Sequence, residues 1–586
     1  MNYHELWTGH IKAALNEAAS KKGIALDTVE LPALETPPEQ AMGDLAMPMF
    51  PFAKIFRGNP AAIASEVATE LEARTDSDRD GTVEAAGPYL NIRLPRSAFA
   101  AATLSQALAE GASYGANKLL EGERITIEFS SPNTNKPLHL GHLRNDALGE
   151  SLRRILMACG ADVRAVNLIN DRGIHICKSM LAYQKFGNEE TPESSGLKGD
   201  HLVGKYYVKY DQWAKSDSSA EEQAREMLRA WERGDEEVVA LWRKMNGWVL
   251  DGITTTYEAT GIHFDALYYE SKTYSSGKEE ILRGLDEGEF FRQEDGSVWV
   301  DLESEGLDKK ILLRSDGTSV YVTQDIGTVI ARYNDVPFDR MIYVVGSEQI
   351  YHFKVLFHVL RKLGFRWAEH LFHLSYGMVN LPEGKMKSRE GTVVDADDLI
   401  AELQRLAAEE IREKEREDAV EDIDATAHAI AVGALHYFLL QVSPAKDMMF
   451  NPAESLSFTG NTGPYIQYTC ARINSMFRKA ADRGIEVNDL DPDVALLATD
   501  AEWALVRLVG RFPELVAKAG AEYSPSLIAG YLYDVAKSFS GYYHDHPILT
   551  APDEPLRDAR LYLSKAVLTV LANGVELLNI PYLDRM

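Results

Sequence analysis

The tetrapeptide His139-Leu-Gly-His142 limits the possible folds of this chain more than any other feature, because of the sequence on either side of it. The run Arg124–Phe129 before it is strand-like, and a turn-forming stretch rich in serine, proline and asparagine follows that run. After the tetrapeptide, apolar residues recur at the spacing of one helix face. The pattern predicts a strand, a turn and a helix, with two imidazoles at the helix N-terminus. Free backbone N–H groups and the positive end of the helix dipole make such a terminus suitable for a triphosphate.

Within this motif, each residue type has a chemical reason. His139 and His142 can donate hydrogen bonds to phosphate oxygens, and the small Gly141 lets an adenine ring approach the backbone closely. The alternative is that the two histidines only cap the helix.

A second motif, Gly384-Lys-Met-Lys-Ser-Arg-Glu-Gly391, favours the interpretation of the first motif as a triphosphate site. Together the two motifs resemble the HIGH and KMSKS signatures of class I aminoacyl-tRNA synthetases. The resemblance narrows to the bacterial-type arginyl-tRNA synthetases and covers nearly the whole chain. The stretches that carry it are Ser131–Arg144, Asn167–Ile174, Gly463–Tyr468 and Leu577–Met586.

The order of the predicted elements agrees with that family. We expect an α/β Rossmann-like catalytic domain with an N-terminal α+β domain and a C-terminal all-α helical bundle. The expected boundaries are 1–115 for the N-terminal domain, 116–395 for the catalytic domain with an insertion at about 188–277, 396–454 for a helical connecting region, and 455–586 for a DALR-type anticodon-binding domain.

The resemblance implies an arginine–tRNA ligase that forms arginyl-AMP from L-arginine and ATP and then charges tRNA(Arg). Catalysis of this kind depends on positioning and positive charge rather than on a covalent nucleophile. The implied catalytic residues are His139, His142, Lys136 and Lys385. ATP would contact His139, Gly141, His142, Lys385, Met386 and Ser388. Mg²⁺ is expected with ATP and pyrophosphate.

The second motif departs from KMSKS, because Ser388 stands where the second lysine belongs. Lys387 lies one position earlier, and Lys136 lies just before the first motif. Arginyl enzymes that lack the second KMSKS lysine commonly carry a lysine at the place of Lys136, so we assign the missing charge to Lys136. Lys387 remains the alternative.

An arginine pocket should present carboxylate and amide oxygens in fork geometry to a planar cation with five donors. The family pattern maps onto Glu128, Asn133, Tyr321, Asp325 and Gln349. By that resemblance Asp325 holds the guanidinium, Tyr321 lies beside it, and Asn133 and Gln349 orient the α-amino and carboxylate end. Asp325 is expected just after a strand-like run, Ser319–Val322. Taken alone, each of these residues could instead be structural, with Glu128 as a buried strand-end hydrogen-bonding residue and Tyr321 as a core residue.

A tRNA contact can use an exposed aromatic side chain that stacks on an unpaired base, beside an amide that hydrogen-bonds the edge of that base. In the first domain the family places D-loop recognition at Tyr89 and Asn91. In the helical region the corresponding group is Tyr465, Gln467, Tyr468 and Arg472, with Met586 at a terminus that packs near the anticodon loop.

The net charge of −28 governs solubility rather than local RNA affinity, and an adaptation to a salty cytoplasm stays open as its cause. Three widely spaced cysteines predict neither structural zinc nor disulfides. The N-terminus lacks a signal-peptide pattern and we find no run of about 18 apolar residues, so we expect a cytoplasmic protein with no membrane contact. We also expect a monomer.

Two rival functions remain. The first is another class I synthetase. A cysteinyl enzyme would need a zinc thiolate cluster, and a glutamyl enzyme would need a cationic pocket where Asp325 stands. A non-catalytic RNA-binding paralogue would have no need of His139, His142 and Lys385.

Overall fold

The computed structural model describes residues 3–24, 31–274, 276–380, 394–413 and 420–586. Contacts divide the chain into two compact units. Unit 1 comprises Met1–Tyr114, Phe477–Arg511 and Ser538–Thr569; unit 2 comprises Gly115–Met476, Phe512–Lys537 and Val570–Met586.

Unit 1 contains a small antiparallel sheet in the order β1-β3-β2. Its strands are β1 (Leu45–Pro48), β2 (Thr82–Ala86) and β3 (Tyr89–Arg93), and the helices at the start of the chain are α1 (Tyr3–Lys21), α2 (Ala53–Phe56), α3 (Pro60–Glu72) and α4 (Arg96–Glu110). Within this unit the buried carboxylate of Asp44 accepts hydrogen bonds from Leu94 N, at 2.9 Å, and from Trp503 Nε1, also at 2.9 Å. The expected N-terminal α+β arrangement is therefore present.

Unit 2 is built around a parallel sheet in the order β11-β10-β4-β5-β6. Its strands are β4 (Arg124–Glu128), β5 (Asp162–Ile169), β6 (Ala266–Tyr269), β10 (Arg340–Gly346) and β11 (Leu371–Tyr376). The strand order runs to one side of β4 through β5 and β6, and to the other side through β10 and β11. A crevice therefore opens where β4 and β10 end, and ligands of open parallel sheets bind at such a point.

Helices and short strands surround that sheet. The helices between β4 and β11 are α5 (Leu140–Ala158), α6 (Ile174–Phe186), α7 (Pro192–Ser195), α8 (Gly199–Ala214), α9 (Ala220–Glu232), α10 (Glu236–Thr260), α11 (Glu270–Thr273), α12 (Ser276–Asp286), α13 (Tyr321–Asp335) and α14 (Ile350–Lys362). An antiparallel sheet consists of β7 (Phe291–Arg292), β8 (Val298–Val300) and β9 (Lys310–Leu313), and β12 (Val379–Asn380) pairs in parallel with β13 (Met448–Met449).

The insertion predicted at about 188–277 extends too far at its carboxyl end. Strand β6 lies inside that range but pairs with β5 in the central sheet, from Val166↔Ala266 to Ile169↔Tyr269. The strand has only four residues, all at least partly exposed, so its sequence lacks the apolar run of a buried parallel strand.

Beyond residue 394 the described chain is almost entirely helical, as expected. The helices are α15 (Ala396–Glu413), α16 (Ile423–Leu440), α17 (Pro452–Ser455), α18 (Gly463–Ala481), α19 (Asp500–Ala521), α20 (Pro525–Asp545) and α21 (Glu554–Leu577).

Helix α16 qualifies the expectation that no segment could cross a membrane. Among the described residues it is long and apolar enough to do so by length and composition, and 67% of it is buried inside the protein. A core helix of a soluble protein meets the same test, so the observation is weak evidence for a membrane span.

Candidate active site

The predicted strand–turn–helix is confirmed, and it places both histidines at the start of α5. His139 is the N-cap residue, and its Nδ1 accepts a hydrogen bond from Gly141 N at 3.1 Å. His142 Nδ1 accepts in turn from His139 N at 3.1 Å. The two imidazoles thus form a reciprocal capping box, with ring centroids 3.9 Å apart.

This capping geometry fixes the chemistry of both rings. Because each Nδ1 accepts from a backbone N–H, each neutral ring carries its proton on Nε2 and can donate it. Burial, followed by the charge of Lys136, lowers the pKa of His139 to about 4. Burial also lowers the pKa of His142 well below its ordinary value. At neutral pH the helix N-terminus therefore offers two uncharged Nε2–H donors.

Gly141 has little room for a side chain. A Cβ at this position would lie 3.0 Å from His139 Cε1 and 3.1 Å from Nδ1 of the same ring. The glycine therefore permits the imidazole cap itself, and the close approach of adenine stays a prediction.

Lys136 lies in the loop between β4 and α5. Among the described residues it forms no ion pair, and burial lowers the pKa of its ammonium group. Lys385, Met386, Lys387 and Ser388 lie outside the described residues.

The turn after β4 has an unusual backbone. Ser130 and Ser131 both adopt positive φ, at 71° and 50°. Side-chain oxygens hold them there: Asn145 Oδ1 accepts from Ser130 N at 2.6 Å, and Asn167 Oδ1 accepts from Ser131 N at 3.0 Å. Such strained positions persist where the surroundings determine them, commonly at functional sites. The turn leads directly to Asn133, which pairs with Asn170 as an isolated bridge.

A cavity of ≈ 940 Å³ opens beside this turn. Four of the predicted site residues line it, namely Asn133, Lys136, Tyr321 and Asp325. Glu128, Gln349 and the two motif histidines are not among the residues that line it. Gln349 is exposed and ends the turn after β10, the neighbour of β4.

Helix α13 supplies one wall of the cavity. Tyr321, Gln324, Asp325 and Thr328 line it at the i, i+3, i+4, i+7 spacing of one helix face. The expectation of a strand at Ser319–Val322 was therefore wrong, since the helix begins at Tyr321. Thr323 explains the difference, because its hydroxyl is bonded to Leu312 O and its backbone N–H donates to Val320 O at 3.0 Å. Tertiary contacts here override the β-branched composition.

Asp325 has a partner that the sequence reasoning did not assign. His352 Nε2 lies 2.6 Å from Asp325 Oδ2. The structure thus places His352 on the carboxylate that is predicted to bind the guanidinium.

Glu270 is a second carboxylate in the cavity, and sequence reasoning missed it. Burial raises its pKa to about 7; Arg172 opposes the rise, and Asp171 and Asp325 add to it. Its position just after β6, at the carboxyl edge of the sheet, was the signal that could have found it, but β6 itself was not predicted.

Glu128 contacts a guanidinium of the protein itself. Its carboxylate pairs with Arg332, which is 2% exposed, and Glu128 Oε1 accepts from Ser131 Oγ at 3.2 Å. The arrangement favours the structural alternative for Glu128, as a buried residue that holds the turn after β4.

The similarity to known proteins agrees with this geometry. Residues 103–451 match the family described as tRNA synthetases class I (R), catalytic domain, residues 5–94 match the arginyl tRNA synthetase N terminal domain, and residues 466–586 match the DALR anticodon binding domain. The arginine–tRNA ligase of Treponema denticola is 55% identical, over 97% of this chain and 98% of its own length. That of Treponema pallidum is 53% identical, over 99% of each chain.

The chain belongs to the class I arginyl-tRNA synthetases. The solved structure of the Thermus thermophilus arginyl-tRNA synthetase aligns with a TM-score of 0.83 at 29% identity, covering 100% of both chains. The arginyl-tRNA synthetase of Plasmodium falciparum, at 19% identity and a TM-score of 0.78, supports the fold alone.

In this synthetase the residues predicted to contact tRNA differ in exposure. Tyr89 is 38% exposed on β3 and meets the exposed Phe50 edge-on, with centroids 5.7 Å apart. Asn91 is only 5% exposed, so the predicted aromatic–amide pair does not share one accessible surface.

The helical group of unit 2 divides in the same way. Tyr465 and Tyr468 are partly exposed, and the Arg472 guanidinium lies 4.6 Å from the Tyr468 ring centroid. Gln467 is 1% exposed and donates to Ala429 O and Pro581 O, at 3.0 and 2.8 Å. Met586 is 8% exposed and packs in an apolar cluster. Gln467 and Met586 therefore stabilise the packing around this group.

Proposed function

We propose that the cavity binds arginine by its guanidinium group, with the substrate carboxylate directed to ATP at the N-terminus of α5. The chain is an arginine–tRNA ligase. It forms arginyl-AMP and pyrophosphate from L-arginine and ATP, and it then transfers arginine to the 3′-terminal adenosine of tRNA(Arg), releasing AMP.

One observation carries this assignment: two carboxylates from different elements, Asp325 on α13 and Glu270 after β6, line the same cavity. A guanidinium has five donors in a fixed plane and is matched by carboxylates that approach from more than one direction. Arg172 also lines the cavity and partly offsets Glu270, whereas the partner of Asp325 is the His352 imidazole, so Asp325 is the carboxylate that a substrate cation would pair with.

The remaining cavity residues have supporting roles. His352 fixes the orientation of Asp325 through the 2.6 Å contact, and Tyr321 packs beside the guanidinium at the open side, where it is 78% exposed. Asn133 and Gln349 orient the α-amino and carboxylate groups from the turns after β4 and β10. Glu128 acts through Ser131 rather than by direct contact.

At the phosphate end, His139 and His142 donate their Nε2–H groups to phosphate oxygens, and Gly141 lies under the adenine. Lys136 provides a cation whose burial makes its charge effective at short range. By resemblance Lys385, Met386 and Ser388 complete the ATP contacts.

The reaction needs no nucleophile from the protein. An oxygen of the arginine carboxylate attacks the α-phosphorus, and the bond from that phosphorus to the pyrophosphate oxygen breaks. The protein holds the two substrates in line and stabilises the charge that moves onto pyrophosphate. Mg²⁺ enters as part of the ATP substrate and leaves with pyrophosphate; we propose no structural zinc.

For tRNA(Arg), we propose that Tyr89 stacks on an unpaired D-loop base and that Tyr465, Tyr468 and Arg472 meet the anticodon stem–loop. Asn91, Gln467 and Met586 would support these contacts from beneath the surface. We further propose the domain boundaries 1–115, 116–395, 396–454 and 455–586, a monomeric state, a cytoplasmic location and the absence of membrane contact.

The deciding experiment is aminoacylation of total tRNA with each radiolabelled amino acid in turn. Arginine alone should be incorporated, and Lys136→Ala and His142→Ala should reduce its incorporation. Incorporation of another amino acid would reject the pocket, and binding of tRNA with no incorporation at all would favour a non-catalytic RNA-binding protein. ATP–pyrophosphate exchange should require added tRNA(Arg), as is usual in the family.

A further inference from the structure

A charged cluster in unit 2 lies outside the substrate cavity and joins three elements. Asp397, in the first turn of α15, accepts at Oδ2 from His201 Nε2 at 2.9 Å and from the Lys198 ammonium, and at Oδ1 from Thr256 Oγ1 at 2.8 Å. Lys198 also donates to Thr256 Oγ1 at 2.6 Å, and His201 Nε2 lies 3.5 Å from Asp395 Oδ1. Asp397 is therefore the common partner of the start of α8 and the carboxyl-terminal part of α10.

The cluster is not a vacant metal site. Ligand atoms of Asp200, His201 and Asp397 lie within 4.8 Å of one another. The Lys198 ammonium is already among them, 3.2 Å from Asp200 Oδ2 and paired with Asp397. The protein thus supplies its own cation at this position.

The helices that hold Lys198 and Thr256 are firmly packed. A Cβ on Gly199 would lie 2.0 Å from Trp248 O, and one on Gly252 would lie 2.4 Å from Asp200 Oδ1. The backbones of α8 and α10 can approach this closely only because glycine stands at both positions. Asp397 is consequently attached to a rigid pair of helices.

On the other side of Asp397, the chain is bonded to the catalytic motif. Leu140 N donates to Val394 O at 3.3 Å, Ala396 N donates to Leu138 O at 3.0 Å, and Asp395 forms an antiparallel bridge with His139. Asp395 also accepts from Asp397 N at 2.9 Å and so caps α15. Only one residue therefore separates the Asp397 side chain from the backbone partner of His139.

The electrostatics favour a permanently charged Asp397. Burial alone would raise its pKa, but hydrogen bonds from His201 and Lys198 bring the pKa to about 2. The hydrogen bond to Asp397 raises the pKa of His201. The cluster therefore keeps its charge pairing at neutral pH.

We propose that Asp397 is a positioning residue for the synthetase reaction: it anchors Val394–Ala396 to α8 and α10, and this anchored segment fixes the backbone of His139 and hence its phosphate-facing imidazole. The proposal rests on the role proposed above for His139, and it adds a group that never touches the substrates.

The test compares Asp397→Asn with Asp398→Asn. Asp398 lies in the same first turn of α15, is exposed and takes no part in the cluster, so its replacement removes the same charge beside the same helix N-terminus. Asp397→Asn should lower kcat of aminoacylation tenfold or more and leave KM for arginine within twofold. Asp398→Asn should change neither value by more than twofold.

Amide hydrogen exchange provides a readout that does not depend on activity. Peptides that contain Leu140 and Ala396 should exchange faster in Asp397→Asn and at the wild-type rate in Asp398→Asn. If Asp397→Asn does not fold, Thr256→Val removes the donor to Asp397 Oδ1 and one acceptor of Lys198, but it keeps the contacts of His201 and Lys198 with Asp397. It should therefore lower kcat less, again with KM for arginine unchanged. Equal kcat in Asp397→Asn and wild type, or a change confined to KM for arginine, would overturn the proposal.

His139→Ala distinguishes this proposal from the one on which it rests. If His139→Ala keeps the wild-type kcat, the assigned role of the motif fails. If His139→Ala lowers kcat and Asp397→Asn does not, only the anchor fails.

Discussion

The two ends of the proposed substrate site handle charge in opposite ways. The arginine end carries formal charges, since Asp325 and Glu270 both line the cavity. The phosphate end, within the described residues, relies on the start of α5, on two neutral imidazoles and on Lys136. Within the described residues, the cationic substrate is thus met by two carboxylates, whereas the polyanion is met by two neutral imidazoles and one lysine.

The difference follows from what each end must do. Arginine keeps its charge throughout the reaction, so a constant countercharge provides affinity and selects against other amino acids. ATP loses pyrophosphate, and donors that gain strength as charge moves accelerate the step without holding the product too tightly. We expect substitutions at the arginine end to change KM for arginine, and substitutions at the phosphate end to change kcat.

The largest effect should come from Asp325→Ala. A guanidinium that enters the cavity without this carboxylate loses a charged pair, a cost on the order of 3–5 kcal/mol. Arginine activation should be abolished at ordinary arginine concentrations, while KM for ATP stays near the wild-type value. Steady-state aminoacylation with each substrate varied separately measures both.

Asp325→Asn is the matched control, because it keeps the shape and one acceptor oxygen but removes the charge. It should lie between wild type and the alanine variant. Wild-type kcat/KM for arginine in Asp325→Ala would show that Glu270 or another group selects the substrate.

The next largest effect concerns the charge that Ser388 cannot supply. Removal of a lysine that contacts charge developing in the transition state should cost about 2.7–4 kcal/mol, or roughly 10²–10³-fold in kcat. A solvated lysine should cost less than about 0.5 kcal/mol. We expect the large loss of kcat in Lys136→Ala and the small one in Lys387→Ala, both measured by single-turnover aminoacylation.

The reverse ranking would transfer the role to Lys387. Two small losses would mean that Lys385 and the metal–nucleotide substrate suffice. An increase in KM for arginine in Lys136→Ala would show that this lysine acts at the arginine end of the site and not at the phosphate end.

The phosphate end was the easier to predict from sequence, for a physical reason. Two histidines, a glycine and a helical apolar pattern lie within 20 residues, so local rules suffice to place them. The sequence predicted the strand and the helix correctly, and it left capping by the two histidines as the alternative to a phosphate site. It did not predict that each imidazole caps the backbone through Nδ1, which determines the donor tautomer.

The arginine end was harder, because its residues come together only through tertiary packing. Glu270 follows a strand too short to be recognised, and Asp325 lies on a helix that resembles a strand in composition. The burial of Asn91 and Gln467 could not be predicted from the sequence either. Both are polar residues that lie in the interior, and nothing in their local sequence indicates which face they occupy.

A smaller effect should appear in the pH dependence of arginine binding. The pKa of Glu270 is raised to about 7, mainly by burial, and the substrate cation binds its deprotonated form. Below pH 7 arginine must displace a proton, so KM for arginine should rise by up to about tenfold per pH unit; above pH 7 it should level off. Initial rates between pH 6 and 8 test this, with KM for ATP as the internal control.

Glu270→Gln isolates the origin of that dependence. It should raise KM for arginine at pH 7.5 and flatten the rise between pH 7 and 6, whereas Asp325→Asn should keep the rise. An unchanged slope in Glu270→Gln would assign the proton to another group.

The smallest effect should come from His352, which touches Asp325 but lies behind it. Replacing His352 by leucine removes one hydrogen bond to the carboxylate, worth about 0.5–1.5 kcal/mol, so KM for arginine should rise roughly two- to tenfold at unchanged KM for ATP. His352→Gln keeps a donor and should lie closer to wild type. The decisive measurement is the double mutant with Asp325→Ala: once the carboxylate is gone, losing His352 should cost nothing more, because the two changes act through one contact. Additive losses would instead give His352 a role separate from Asp325, and a rise confined to KM for ATP would place His352 at the phosphate end.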